Sequence, residues 1–180
     1  QAETPDGHLS TPELISTCIL LLNAGHEATV HSLALAVKTL IEQGADPAWL
    51  SPDALPGTIE ECLRFDPPLH MFTRYAYETL TIFDHRFAPG DQVALLLGAA
   101  NRDPAVWPDP DRFDPARPVK THTAFGAGLH FCLGAPLARL EMQIALPRLF
   151  AACPDLALAA PPEFAPTYHF HGLTELRVTC

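Results

Sequence analysis

Phe125-Gly126-Ala127-Gly128-Leu129-His130-Phe131-Cys132-Leu133-Gly134 is the stretch on which the reading of this chain turns. Glycines at 126, 128 and 134 let the backbone pass close to something large and flat. Cys132 stands just before a helical run, where unpaired N–H groups and the helix dipole favour a thiolate. A dinucleotide-binding loop is one alternative. Its glycine pattern begins at Gly126 and Gly128 but meets Phe131 where a third glycine belongs, and no strand-like run leads into it. A buried structural cysteine is the other, and it is the ordinary reading for a thiol that stands alone.

Downstream, Leu133 to about Phe150 reads as an amphipathic helix (134–150) that Pro147 kinks or ends. Residues 165–179 alternate around His171-Gly172-Leu173 as a hairpin does. Upstream, residues 101–120 hold five prolines and the run Asp109-Pro110-Asp111-Arg112-Phe113-Asp114-Pro115, which leaves no room for a regular element. A long ordered loop of that kind usually exists for a function. Pro89-Gly90-Asp91 turns the chain into Val93–Leu97, which suits a strand or a helix, and 71–77 and 79–83 read as short strands. A helix over 56–66 is ended by Asp66-Pro67-Pro68. Gly44 to Pro56 is a broken connection with room for one short helix.

The longest element is predicted at 10–43. Ser10 and Glu13 form a capping-box pattern, with Pro12 tolerated in the first turn. Beyond them only Gly25 weakens the helix. Ile19–Leu22 is apolar on every face, so this helix expects cover all round. From Thr11 to Gln43 it spans roughly 50 Å, whereas a compact body of this length is roughly 40 Å across. Such a helix outgrows the domain meant to bury it. Either the chain oligomerises or it is a piece of a larger protein, and the second reading is favoured. Residues 1–9, with Pro5 and Gly7, read as a loose lead-in.

Composition narrows the partners. Lys plus Arg total 11 against 21 for Asp plus Glu, a net charge of −10 that argues against nucleic acid or an anionic membrane surface. Hydrophobic residues at 48% exclude disorder by composition. No apolar run approaches the roughly 20 residues of a membrane span, and the start lacks a signal peptide's basic-then-apolar order. The cysteines, at 18, 62, 132, 153 and 180, are odd in number and far apart, so they suggest no disulfide framework and a reducing, cytoplasmic setting. No internal repeat is present. The expected class is mainly α with small β-sheets, an α+β fold.

The cysteine loop resembles the haem-binding loop of the cytochrome P450 family, Phe-x-x-Gly-x-x-x-Cys-x-Gly, matched at Phe125, Gly128, Cys132 and Gly134. Three further resemblances follow the family's order. Glu61-Cys62-Leu63-Arg64 is similar to its Glu-x-x-Arg, Phe113-Asp114-Pro115-Ala116-Arg117 to the Phe-x-Pro-x-Arg of its meander, and Ala24-Gly25-His26-Glu27 to the oxygen-binding part of its long central helix. A lone Glu-x-x-Arg is ordinary helix surface; four ordered matches over 24–134 are not. The resemblance implies the C-terminal half of the P450 fold with haem b as cofactor. It implies Cys132 as the axial thiolate, Phe125 as a shield for its sulfur, and Gly126, Gly134 and Ala138 beside the haem. Arg74 and His130 would meet the propionates; the ordinary reading of Arg74 is a solvated charge. Glu61, Arg64 and Arg117 would form a buried charge cluster whose disruption costs about 3–5 kcal/mol.

One departure stands on the long helix. The family usually places an acid directly before a threonine; here Glu27 is followed by Ala28, with Thr29 one step on. A helix turns about 100° per residue, so Thr29 points away from the face of Ala28. Gly25 keeps its logic, leaving room for O2. Leu20, Asn23, Ala24, Met71, Phe72 and Leu173 are candidate substrate contacts by position, though Met71 and Phe72 serve equally well as plain core. His169 and His171 share a face if their run is a strand. With His130-x-Cys132 they make a conceivable zinc set, but no second paired-cysteine motif supports it.

The resemblance covers nearly the whole chain yet only about half of a P450; a missing N-terminal half, or a second chain, would complete the fold. The implied activity is monooxygenation of a small apolar organic substrate with O2 and two electrons from a ferredoxin- or flavin-type donor. Two alternatives stay open: a truncated, catalytically silent haem-binding fragment, and a peroxide-driven peroxygenase.

Overall fold

The computed structural model describes residues 3–4, 7–118 and 121–180. Pro5 of the lead-in and residues 119–120 at the end of the proline-rich loop lie outside them. A short ladder, β1 (Glu3–Thr4) with β2 (Gly7–His8), precedes α1 (Thr11–Glu42). Ser10 and Glu13 close the capping box in both directions: Glu13 N–H donates to Ser10 Oγ at 3.4 Å, and Ser10 N–H to a Glu13 carboxylate oxygen at 2.8 Å. Asp46 caps a 3-10 turn at Pro47–Leu50, and α2 (Leu55–Phe65) follows.

β3 (Met71–Tyr75) pairs antiparallel with β6 (Gln92–Leu96), Met71 opposite Leu96 and Tyr75 opposite Gln92. Between them β4 (Leu80–Ile82) and β5 (His85–Phe87) form a small hairpin. The run 93–97 is both of the things its sequence suits, because β6 ends at Leu96 and the helical turn α3 (Leu97–Ala100) starts at once. After the irregular loop comes α4 (Ala135–Ala152).

Three expectations need correction here. Pro147 does not end α4, which continues to Ala152. The carbonyl that loses its donor belongs to Gln143, which is exposed to water, while Met142 and Leu146 are buried at 1% and 0% exposure. Nor is α4 cleanly amphipathic: Leu137, Leu140 and Ile144 stay exposed. Residues 165–179 do not fold on themselves as a hairpin. β9 (Leu173–Glu175) pairs with β8 (Glu163–Phe164), and β10 (Val178–Thr179) returns to β7 (Ala157–Leu158). The segment between is drawn elsewhere, Phe170 bridging Leu69 and His171 N–H donating to Pro68 O at 2.8 Å.

The core gathers Ala36, Val37 and Leu40 of α1, Leu55, Ile59, Cys62 and Leu63 of α2, Phe113, Ala124, and Met142 and Leu146 of α4. The buried residues of α1 all fall between Ser32 and Leu40. Its first half is uncovered, with Leu20 at 65% and Leu22 at 73% exposure. Meander and α2 lie close: a Cβ added to Gly57 would stand 2.8 Å from Pro115 O. Among the described residues the result is an α+β fold of four helices and small antiparallel ladders.

Candidate functional site

The cysteine loop is shaped by its glycines. Gly126 and Gly128 both take φ of 69°, a left-handed conformation that strains any residue with a Cβ. Gly126 N–H donates to Thr123 O at 2.8 Å, and Cys132 N–H to Phe125 O at 2.9 Å. A 3-10 turn at Gly128–His130 fills the bend. Cys132 is a free, half-buried thiol at the start of α4, where its carbonyl accepts from Ala135 N–H. A Cβ on Gly134 would come 3.9 Å from the Cys132 sulfur. Leu129 (95% exposed) and Leu133 (83%) surround this loop uncovered, and Ala138 sits half-buried one turn into α4.

The two basic side chains expected near it have no ion-pair partner among the described residues. Arg74, exposed on β3, donates only to the neighbouring Thr73 O at 2.9 Å, and neither it nor exposed His130 meets a carboxylate among the described residues. Thr123 ties the loop's entrance to the end of that ladder, donating through its hydroxyl to Leu97 O at 2.8 Å and through its N–H to Asn101 Oδ1 at 2.7 Å.

Glu61, Arg64 and Arg117 come together. Arg64 forks onto both Glu61 oxygens at 2.7 and 2.8 Å and reaches the carbonyls of Asn101 and Pro110, both at 2.9 Å. Arg117 stands 3.4 Å from Glu61 and donates to Asp109 O and Arg112 O. Asp114 N–H completes Glu61 at 2.8 Å. Glu61 and Arg64 are 4% and 1% exposed, so this is an ion pair taken fully from water and fully satisfied.

A neighbouring network has no counterpart in the sequence reading. Arg139 of α4 forks onto Glu60 at 2.6 and 2.9 Å, and buried His122 meets the same carboxylate at 3.1 Å. The guanidinium lies 4.6 Å over the Phe125 ring, and His122 Nδ1 accepts from Ala124 N–H. Burial alone raises the Glu60 carboxyl, but Arg139 and His122 outweigh it and hold the group at about 2. The only sequence signal is the doubled acid, Glu60-Glu61; the partners lie 62 and 79 positions away.

The α1 candidates stand apart. Leu20, Asn23, Ala24, Gly25 and Glu27 are exposed, Ala28 and Thr29 half-buried, and a Cβ on Gly25 would meet nothing within 4 Å. No hydrogen bond or ion pair joins them to the cysteine loop among the described residues. Met71 is buried at 8% exposure, Phe72 exposed at 41% and Leu173 half-buried. The conceivable zinc set does not assemble: His171 pairs with Asp66 instead, at 3.0 Å.

A sequence model described as Cytochrome P450 matches residues 54–153. The chain belongs to the cytochrome P450 family. It is 44% identical over 174 residues to the biotin biosynthesis cytochrome P450 of Bacillus subtilis (strain 168), covering 95% of this chain and 44% of that protein. A crystal structure of P450BioI in complex with hexadec-9Z-enoic acid ligated acyl carrier protein superposes with a TM-score of 0.90 at 44% identity, over 95% of this chain and 45% of that one. The bacillaene polyketide synthase cytochrome P450 PksS of Bacillus subtilis 168 gives 0.93 at 37% identity, over 99% and 48%. The chain thus spans less than half the length of these P450 relatives.

The family is one of haem-iron proteins, and the cysteine loop of this P450 chain fits that group. A free thiol is set on a helix N-terminus, glycine removes bulk beside it, uncovered leucines rim it, and the basic side chains of Arg74 and His130 meet no carboxylate among the described residues. Among the described residues, no helix is long and apolar enough to cross a membrane.

Proposed function

We propose that this chain is the cofactor-holding portion of a haem-thiolate monooxygenase acting on a small apolar organic substrate: RH + O2 + 2 electrons + 2 H+ gives ROH + H2O. The half-buried Cys132 thiol, fixed through its N–H to Phe125 and flanked by Gly134, is the observation that carries this reading. When bound, haem b supplies the reduction of O2 and oxygen transfer to the substrate. Cys132, at the start of α4, would hold it as a thiolate. Phe125 keeps water from the sulfur. Arg74 and His130 would donate hydrogen bonds to the propionates, and Ala138, being small, leaves room for the macrocycle. Two electrons come from a ferredoxin- or flavin-type protein.

On α1, Gly25 leaves space for O2, and the Glu27 carboxyl, exposed and without a partner among the described residues, accepts and releases the protons the reaction consumes. Leu20, Asn23, Ala24, Phe72 and Leu173 border the substrate, and Met71 supports them from the core. The uncovered apolar half of α1 takes its cover from the part of the P450 fold that the relatives carry and this span does not.

The reduced protein with carbon monoxide should show the red-shifted Soret band of thiolate ligation, and Cys132→Ser should abolish it. Folded protein that takes up no hemin, or a spectrum unaltered in the variant, would overturn the assignment. Ala28 favours a second reading, a peroxide-driven oxygenase, because no hydroxyl follows the acid directly. Turnover with peroxide but not with reductase and O2 would select it.

A further inference from the structure

A second donor set lies at the seam where the end of α2, the entry to β3 and the C-terminal segment meet. Asp66 caps α2, His70 directly precedes β3, and His171 stands two residues before β9. The backbone of both histidines is clamped. His171 N–H donates to Pro68 O and His70 O accepts from Leu97 N–H, each at 2.8 Å, while Leu69 and Phe170 form a bridge between them. His171 Nε2 lies 3.0 Å from Asp66 Oδ1. The His70 ring stacks on one face of His171 with centroids 4.0 Å apart, and Phe164 stacks on a ring face at 4.4 Å.

We infer that Asp66, His70 and His171 form a binding site for a divalent transition-metal ion of the zinc class, separate from the Cys132 loop.

One donor atom from each residue lies within 4.8 Å of the other two, and no other group of three such ligands assembles among the described residues. Two imidazoles and a carboxylate are a donor set Zn2+ accepts, with water in the fourth position. Bonds of about 2.0–2.2 Å to a tetrahedral ion put ligand atoms roughly 3.3 Å apart. The edge between His171 and Asp66 is already 3.0 Å, so the ion replaces the proton shared along it. The His70 ring makes no hydrogen bond among the described residues, so it is free to turn; because imidazole lone pairs lie in the ring plane, closing the third corner swings it out of its 15° stack on His171. Asp66 Oδ2 accepts from Lys38 Nζ at 2.9 Å, which orients the carboxylate from outside. That ammonium opposes a second cation, and Glu42, 3.2 Å from it, offsets its charge. With Asp66 and Glu42 against Lys38, the cluster keeps one net negative charge for the ion.

An ion here would pin the C-terminal segment to the end of α2. The test uses the whole chain, stripped by a chelator and titrated with Zn2+ by calorimetry, with thermal unfolding alongside. One Zn2+ per chain and a raised Tm are expected. His70→Ala and His171→Ala should each weaken Zn2+ at least about tenfold, while His169→Ala and Cys132→Ser bind as the wild type does. No stoichiometric uptake, undiminished binding by His70→Ala, or loss of binding in Cys132→Ser would overturn the inference. If His171→Ala does not fold, His70→Ala, whose ring gives up no hydrogen bond, still decides. Because the readout is Zn2+ and not haem absorbance, failure here leaves the haem-thiolate reading standing, and the reverse.

Discussion

The Glu61 cluster and the Cys132 loop are built on opposite terms. Around Glu61 nearly every donor has an acceptor: Arg64 is shared among Glu61, Asn101 and Pro110, and Arg117 among Glu61, Asp109 and Arg112. Around Cys132 groups are left over, with two basic side chains lacking carboxylates among the described residues and leucines facing outward. A closed set of charges holds the chain to itself, because a group removed from it strands its partner without water. An open set is available to something added later. Burial and satisfaction, more than residue type, separate scaffold from site here.

The contrast breaks most easily at Arg64. Arg64→Ala should lower stability by about 3–5 kcal/mol in urea unfolding, since it leaves the Glu61 carboxylate buried and unpaired; a loss below about 1 kcal/mol would dissolve the distinction. Arg117→Ala should cost less, about 1–3 kcal/mol, because its longer 3.4 Å approach to Glu61 is supplemented by meander carbonyls that can recruit water. Glu60 sharpens the comparison, because it links the α2 side to the ring of Phe125. Its carboxyl goes from 4.5 unfolded to about 2 folded, so its contribution is complete above pH 4.5 and is lost as pH falls toward about 2. The stability difference between wild type and Glu60→Gln should shrink across that window, moderately, since Arg139 is 32% exposed and screened. Arg74→Ala should change stability by no more than about 0.5 kcal/mol yet weaken hemin uptake. A large stability loss there would mean the open set is closed after all.

What the sequence discloses about this fold is what is local. The capping box of Ser10 and Glu13, and the meeting of Glu61 with Arg64, involve residues three apart, and helical geometry alone brings them together. The cysteine loop is equally legible because glycines, phenylalanine and thiol occupy one continuous stretch. What stays hidden depends on packing at a distance. Glu60 and Arg139 meet only because α2 and α4 share a core, and His171 leaves the expected hairpin because Pro68 and Leu69 offer its segment better backbone partners. Pro147 does not end α4 for the same reason: buried neighbours hold the helix together, and water can take up the one orphaned carbonyl.

Gly57 has a consequence for how thick the molecule is at this point. Because one missing methyl admits the Pro115 carbonyl, α2 and the proline-rich loop are laminated with no clearance between them. Adding that methyl, as in Gly57→Ala, acts as a shim. It jacks the loop outward, and the strain arrives first at Asp114, whose amide leans on Glu61 from the next residue along.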